Sequence, residues 1–425
     1  MLSVAHSPPF SSAPLSVALP LATISFFIAF ASWTLFAIVG VHLKGSLGLS
    51  GTLFGLLVSW PILMGGVLSL PLGLLAQRYG GRKVLIGSLL GLCPGLLGVI
   101  LADSFWGFML AGTGLGVAGG LFSAGLLYVS RLVPAERAGV CLGCFGAGMT
   151  GAAFTFLMVP MVHAAYDWQL APVAYLLVTS LALVLVVAFT EPEAPEGPAG
   201  QRLWSGHALK GLWAPRIWYY CLQFMFMFGG LLALILWLPD YLTDRYQLDL
   251  QTSARLAMLF SLPGALLQVA GGSLADRWPP ERTLKFALAG ATLVLLLLSY
   301  PPMSVTVQAV TGPLQLQLVM PLALCLLLLM TLGGLFGLGL GSLYRLMYDD
   351  YPAHTGVVGG AVLFAGCLAA FLLPPLFGVA DDLLGIPSAA FMLLFAIALS
   401  CSLAFVLSSR AAERSRLLQQ SANGG

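Results

Sequence analysis

Long apolar runs separated by short polar turns organise the chain from end to end. In order they fall at about 16–41, 52–76, 83–102, 106–131, 138–163 and 169–190, then at about 217–239, 252–275, 283–300, 317–346, 355–380 and 387–409. A helix rises about 1.5 Å per residue and the hydrocarbon layer of a bilayer is about 30 Å thick, so roughly 20 apolar residues cross once. The pattern predicts an all-α membrane protein with twelve transmembrane helices. A membrane β-barrel would need alternating strands of about ten residues instead, and none is expected here. A polar stretch rich in Pro and Glu, 191–216, follows the sixth run and cannot bury itself. It divides the chain into a first bundle at 1–190, a linker at 191–216, a second bundle at 217–409 and a tail at 410–425.

The second bundle copies the first. Ser69-Leu-Pro-Leu-Gly73-Leu-Leu-Ala-Gln77-Arg78-Tyr-Gly-Gly-Arg82-Lys83 returns as Gln268 through Gly272-Ser-Leu-Ala-Asp276-Arg277 to Arg282, so 69, 73 and 78 recur at 268, 272 and 277 with a constant offset of 199. Leu63, Gly65, Leu68, Leu75 and Ala76 find identical residues at the same spacing. Each copy carries an apolar run into a short basic turn, as a membrane helix does where it reaches water. The expected architecture is therefore two pseudo-symmetric six-helix bundles.

Composition narrows the class further. With 59% hydrophobic and 8% charged residues and a mean hydropathy of +0.97, an ordinary soluble globule is excluded. The 50 glycines and 26 prolines suit membrane helices that pack closely and bend. The net charge of +2 matters less than its distribution. Of the 18 lysines and arginines, only Lys44, Arg245 and Arg255 fall on the loops that share a side with neither terminus. The positive-inside rule then places both termini in the cytoplasm, and the first fourteen residues, without Lys or Arg, do not look like a cleavable signal.

Few side chains in the apolar runs carry chemistry. Ser69 and Gln268 lie about 10 Å, at helical rise, from the ends of their helices, close to the midplane where duplicated transporter halves bind cargo. For Ser69 packing is the favoured reading, and for Gln268 a binding role and a helix–helix hydrogen bond stay equally open. None of the 16 acidic residues falls inside an expected span, so a buried carboxylate relay for protons is not anticipated. Tyr128, His163 and Arg345 are the remaining polar candidates, with Arg345 placed to reach the interface. Glycines crowd helices 4 and 5 at spacings that let backbones approach. The seven cysteines all lie in apolar runs, and Cys141-Leu-Gly-Cys144 reads as packing. No metal-ligand cluster and no nucleophile–base pair has supporting context, so neither an enzyme nor a cofactor is expected.

Six helices, a polar linker and six more, with a G-x-L-A-[D/Q]-R turn after helices 2 and 8, resemble the major facilitator superfamily. Phe26-Phe27 to Trp33, Gly114-Leu-Gly-Val-Ala-Gly-Gly-Leu-Phe-Ser, Tyr128-Val-Ser-Arg131 to Gly148, Leu236-Trp-Leu-Pro239 and Gly337-Leu-Gly-Leu-Gly341-Ser-Leu-Tyr-Arg345 are similar to its nitrate/nitrite porter branch. The resemblance implies that an arginine of helix 2 and one of helix 8 hold the substrate anion, and those positions are Ser69 and Gln268 here. It likewise implies that two asparagines of the branch correspond to Met149 and Leu340. In the turn motif, comprising Gly73, Gln77 and Arg78 with Gly272, Asp276 and Arg277, the resemblance implies an acid that caps a neighbouring helix and latches one conformation. Gln77 replaces that acid in the first copy, and a weaker latch is expected there.

The expectation is a secondary transporter of the inner membrane working by alternating access. Its cargo is expected to be a small polar solute or inorganic anion, with Gln268, Ser69, Met149, Leu340, Tyr128 and Arg345 as candidate binding positions. Nitrate or nitrite transport through a modified site is the alternative. A membrane sensor would call for a signalling domain or a long tail, whereas Arg410–Gly425 is sixteen residues. The lipid bilayer is the expected partner, nucleic acid is not, and the protein is expected to act as a monomer.

Overall fold

The computed structural model describes residues 15–191, 214–300, 303–309, 312–318, 320–384 and 388–423. Most of the expected linker, 192–213, lies outside them. The first bundle is built from α1 (Leu15–Ser46), α2 (Gly51–Tyr79), α3 (Gly81–Leu101), α4 (Phe105–Leu132), α5 (Ala135–Ala165) and α6 (Leu170–Phe189). The second is built from α7 (Pro215–Tyr246), α8 (Leu250–Arg277), α9 (Pro280–Leu298), α10 (Leu322–Asp350), α11 (Pro352–Leu383) and α12 (Ala389–Asn423). Eleven of these have a window apolar enough to cross a membrane. The exception is α9, nineteen residues long, whose opening turns hold Glu281, Arg282 and Lys285.

Local chemistry sets the helix ends. Ser50, Ser104 and Asp249 accept hydrogen bonds from the backbone N–H of Leu53, Gly107 and Thr252, capping α2, α4 and α8. Gly80, with φ of 97°, makes the turn from α2 into α3, a backbone conformation that a side chain would strain. Four inner helices are irregular midway. Helix α1 breaks at Thr34–Leu35 and α4 at Gly116–Val117, α5 tightens at Ala147–Thr150, and α7 widens into a π turn at Met225–Gly229. Such irregularities gather where helices serve function more often than where they only span.

The apolar windows of α1, α4 and α7 are 83, 78 and 89% buried, whereas those of α6 and α12 are only 33% buried. The second pair, with α3 and α9, turns residues such as Leu90, Leu181, Leu293 and Leu403 outward. In a bilayer that outward apolar surface meets lipid tails and costs nothing to expose. Two seams join the bundles, α2 against α11 and α5 against α8. Along the first, Gly55 meets Pro374 and Pro375, Gly66 meets Cys367, and Gly73 meets Gly356. Along the second, Gly139 meets Gly272 and Gly143 meets Gln268.

Three details depart from the sequence reading. A short antiparallel hairpin, β1 (Met303–Ala309) with β2 (Gly312–Leu318), stands between α9 and α10. Val305, Thr306, Val307 and Gln308 alternate in the sequence, as do Leu314, Gln315, Leu316 and Gln317, which is the strand signature. Helix α10 consequently begins at Leu322, not near 317. Helix α7 also continues past Pro239 to Tyr246, so Asp240 lies inside a span and is 4% exposed. Neighbouring helices absorb a proline in a membrane helix, and Asp240 has a cationic partner described below.

Candidate functional site

The two bundles meet through rings. Phe122 of α4 lies 5.5 Å from Phe26 of α1 and 6.0 Å from Phe145 of α5, and it reaches across to Phe224 at 6.1 Å, Phe228 at 6.3 Å and Tyr344 at 6.0 Å. All six rings are fully buried. Ring pairs at such spacings add roughly 0.5–1.5 kcal/mol beyond their burial. The cluster is therefore the apolar centre of the contact between halves.

Ser69 and Gln268 flank this centre, one on each seam, and both are fully buried. The Ser69 hydroxyl donates to the carbonyls of Gly66 at 2.7 Å and Gly360 at 2.9 Å, while Ser123 donates to the Ser69 carbonyl at 2.9 Å. Ser69 thus ties α2 to α11 and α4. Gln268 donates through Nε2 to the Gly264 carbonyl at 3.0 Å and to the Met149 sulfur at 3.1 Å. Its Oε1 is buried and without a partner, as is the Tyr344 hydroxyl. Leu340 is buried in α10, and Tyr128 is buried in α4. Among the described residues Asp240 is the sole buried charged side chain.

Arg345 lies away from this centre, at the face that carries the two turn motifs. There the Asp276 carboxylate accepts from the Gly139 and Val140 backbone N–H groups, each at 2.8 Å, at the start of the α-helical part of α5. An acid at a helix N-terminus satisfies otherwise unpaired donors and meets the positive end of the helix dipole. Arg345 donates to Asp276 at 2.8 Å, to the Ala135 carbonyl at 2.6 Å and to Asp349 at 3.0 Å. Gly272 sits one turn earlier, where a Cβ would collide with the Gly139 carbonyl oxygen. In the first copy Gln77 donates to the Ala353 carbonyl at 2.6 Å, and its buried Oε1 has no partner. A Cβ on Gly73 would come within 2.6 Å of the Gly356 carbonyl oxygen, so the first seam is also too tight there for a side chain. Arg78 and Arg277 are exposed, Arg78 lying over the Tyr79 ring.

The opposite face is joined by charge. Lys44, near the end of α1, donates to both carboxylate oxygens of Asp240 at 3.0 and 2.9 Å and approaches Asp244 at 3.4 Å. Thr52 of α2 donates through its backbone N–H and its hydroxyl to Asp382 of α11, at 3.2 and 2.9 Å. Trp237, Asp240, Tyr241, Asp244, Arg245 and Asp381 line a cavity of about 230 Å³ beside this network. Polar contacts between the bundles therefore close both faces at once.

The family model described as Major Facilitator Superfamily matches residues 21–374, most of both bundles. The chain belongs to the Major Facilitator Superfamily. It is 32% identical over 391 residues to a protein of Thermus thermophilus named probable nitrate/nitrite antiporter NarK1, covering 89% of this chain and 88% of that one. It is 27% identical over 386 residues to the nitrite extrusion protein of Bacillus subtilis, covering 90% and 92%. The solved human organic anion transporter MFSD10 superposes with a TM-score of 0.67 at 18% identity, covering 92% of this chain and 99% of that one, which shows a shared superfamily fold.

Within this superfamily member, two groups escaped the sequence reading. Tyr344 and its aromatic neighbours look like ordinary core until their positions across the seam are known. Lys44 and Asp240 are 196 positions apart, and the signal available was a lone aspartate directly after an apolar run ending in Pro239.

Proposed function

We propose that this protein is a secondary transporter of the cytoplasmic membrane, working by alternating access as a monomer with both termini in the cytoplasm. The observation that carries the reading is the pair of seams that close glycine against backbone and are pinned at each face by contacts crossing between bundles. Breaking one set while keeping the other exposes the centre to one side of the membrane. Gly139, Gly143 and Gly272 present no side chains to catch as the bundles rock. The fifteen basic residues on one set of loops support the orientation.

The relatives bear names that specify nitrate or nitrite, which supports a small solute as cargo. At the two positions where the resemblance to the porter branch implies arginines, this chain has Ser69 and Gln268, and among the described residues the buried centre holds no fixed positive charge. An oxyanion brought there faces a desolvation cost of several kcal/mol with no cation to offset it. The cargo is accordingly a small polar solute that is not held as nitrate is held between two guanidinium groups. The second reading, nitrate or nitrite carried through a modified site, draws on the 32% identity to the Thermus protein.

Exchange of labelled nitrate in proteoliposomes separates the two. Little exchange is expected for the wild type, and a gain is expected in the Gln268→Arg variant, with Ser69→Arg measured alongside. Rapid nitrate exchange by the wild type would favour the second reading.

A further inference from the structure

Gly146 of α5 packs against two of the side chains that keep a buried polar atom without a partner, Gln268 and Tyr344. A Cβ at that position would collide with Gln268 Oε1 and come within 2.7 Å of Tyr344 Cε2, so both side chains bear on one spot beside the aromatic centre. Neither Gln268 Oε1 nor the Tyr344 hydroxyl has a hydrogen-bond partner, and both residues are fully buried. Burying such an atom unpaired costs about 1–3 kcal/mol, so a bound solute that pairs with both would recover that cost.

The chemistry of the two atoms restricts that occupant. The Gln268 amide is oriented by its own bond, because Nε2 donates to the Gly264 carbonyl at 3.0 Å. Turning the amide over would set two oxygens against each other at that distance and forfeit the bond. The open atom is therefore an acceptor, and an occupant must bring a hydrogen to it. The Tyr344 hydroxyl, free to rotate, supplies a donor to an acceptor on the same occupant. An ionised oxyanion has acceptors only. It would satisfy Tyr344 and be repelled by Gln268, with no buried cation in compensation among the described residues.

We infer that the centre, as the cargo site of the transporter proposed above, takes a small neutral solute carrying an N–H donor beside a carbonyl acceptor, the amide and urea class. Gln268 accepts its N–H, Tyr344 donates to its carbonyl, and the rings of Phe122, Phe224 and Phe228 cover its flat faces. Those rings belong to both bundles, so parting the bundles opens the spot to one side.

The test is counterflow of labelled urea and labelled formamide into proteoliposomes, with labelled nitrate in parallel. Saturable amide exchange is expected, falling about three- to tenfold in Tyr344→Phe and in Gln268→Leu, since each removes one hydrogen bond to a neutral ligand. Detergent-solution melting of the two variants within a few degrees of wild type would show that the fold survives. Amide exchange insensitive to both substitutions, or nitrate exchange with inert amides, would overturn the inference and leave the transporter reading standing. Absence of exchange for all three solutes would overturn it too. Spin-label distances across the Gly139–Gly272 and Thr52–Asp382 contacts then report on the transporter reading separately, because a rocking carrier populates more than one distance at each.

Discussion

The turns around Gln77 and Asp276 come from one duplicated stretch, occupy equivalent places on two equivalent seams, and do different chemistry. Both press a glycine against the backbone of the partner bundle, Gly73 on Gly356 and Gly272 on Gly139. Four residues later Asp276 collects two backbone N–H groups and Arg345, whereas Gln77 makes one bond to a carbonyl. Shape and charge have separated. The close approach is present on both sides, and the carboxylate contact on one. The side with the lock also recruits Arg345 as a bridge, since that guanidinium holds Asp276, Asp349 and the Ala135 carbonyl together.

The sharpest way to break the comparison is Asp276→Ala. It removes two charge-assisted bonds to α5 and leaves Arg345, 17% exposed, without its inner partner. A loss of about 2–3 kcal/mol from the closed form of that face is expected, more than a tenfold shift toward opening there. Paired spin labels on α5 and α8 would measure it, and an unchanged distance distribution would refute the lock. Next in size is Lys44→Ala on the opposite face. Its ion pair joins a lysine that is 25% exposed to a buried carboxylate at 6%, and water reaches that carboxylate once the face opens, so about 1 kcal/mol and a severalfold shift are expected. The sign is the informative part, because this change opens the other face. The smallest effect is expected from Gln77→Asp, which restores an acid next to Gly356 at the start of α11. A gain of about 0.3–1 kcal/mol, or a two- to fivefold shift toward closure at that face, would be read by labels on α2 and α11. No shift would mean that the first turn closes by shape alone.

Much of this was legible in residues 1–425, and the reasons are physical. Twenty-residue apolar periods survive any local irregularity, so the spans emerge directly, and the 199-residue offset betrays the two halves. Asp276 stands out because its copy is Gln77. What stayed hidden depends on distance through space. Whether Gln268 Oε1 is paired turns on Gly264, Met149 and Tyr344 meeting across three helices. Asp240 sat beyond a proline that sequence rules treat as a stop, although membrane neighbours carry a helix through it. The strands at 303–318 alternate plainly, but the run at 312–318 merged into the apolar stretch that opens α10.

Lys44 with Asp240 and Thr52 with Asp382 shut one end of the molecule while Asp276 and Gln77 shut the other. A carrier that passes through such a doubly sealed form between its two open ones never offers ions a continuous wet path. Under the alternating access proposed above, each turnover would move its passenger without short-circuiting the voltage that the cell maintains across the same membrane.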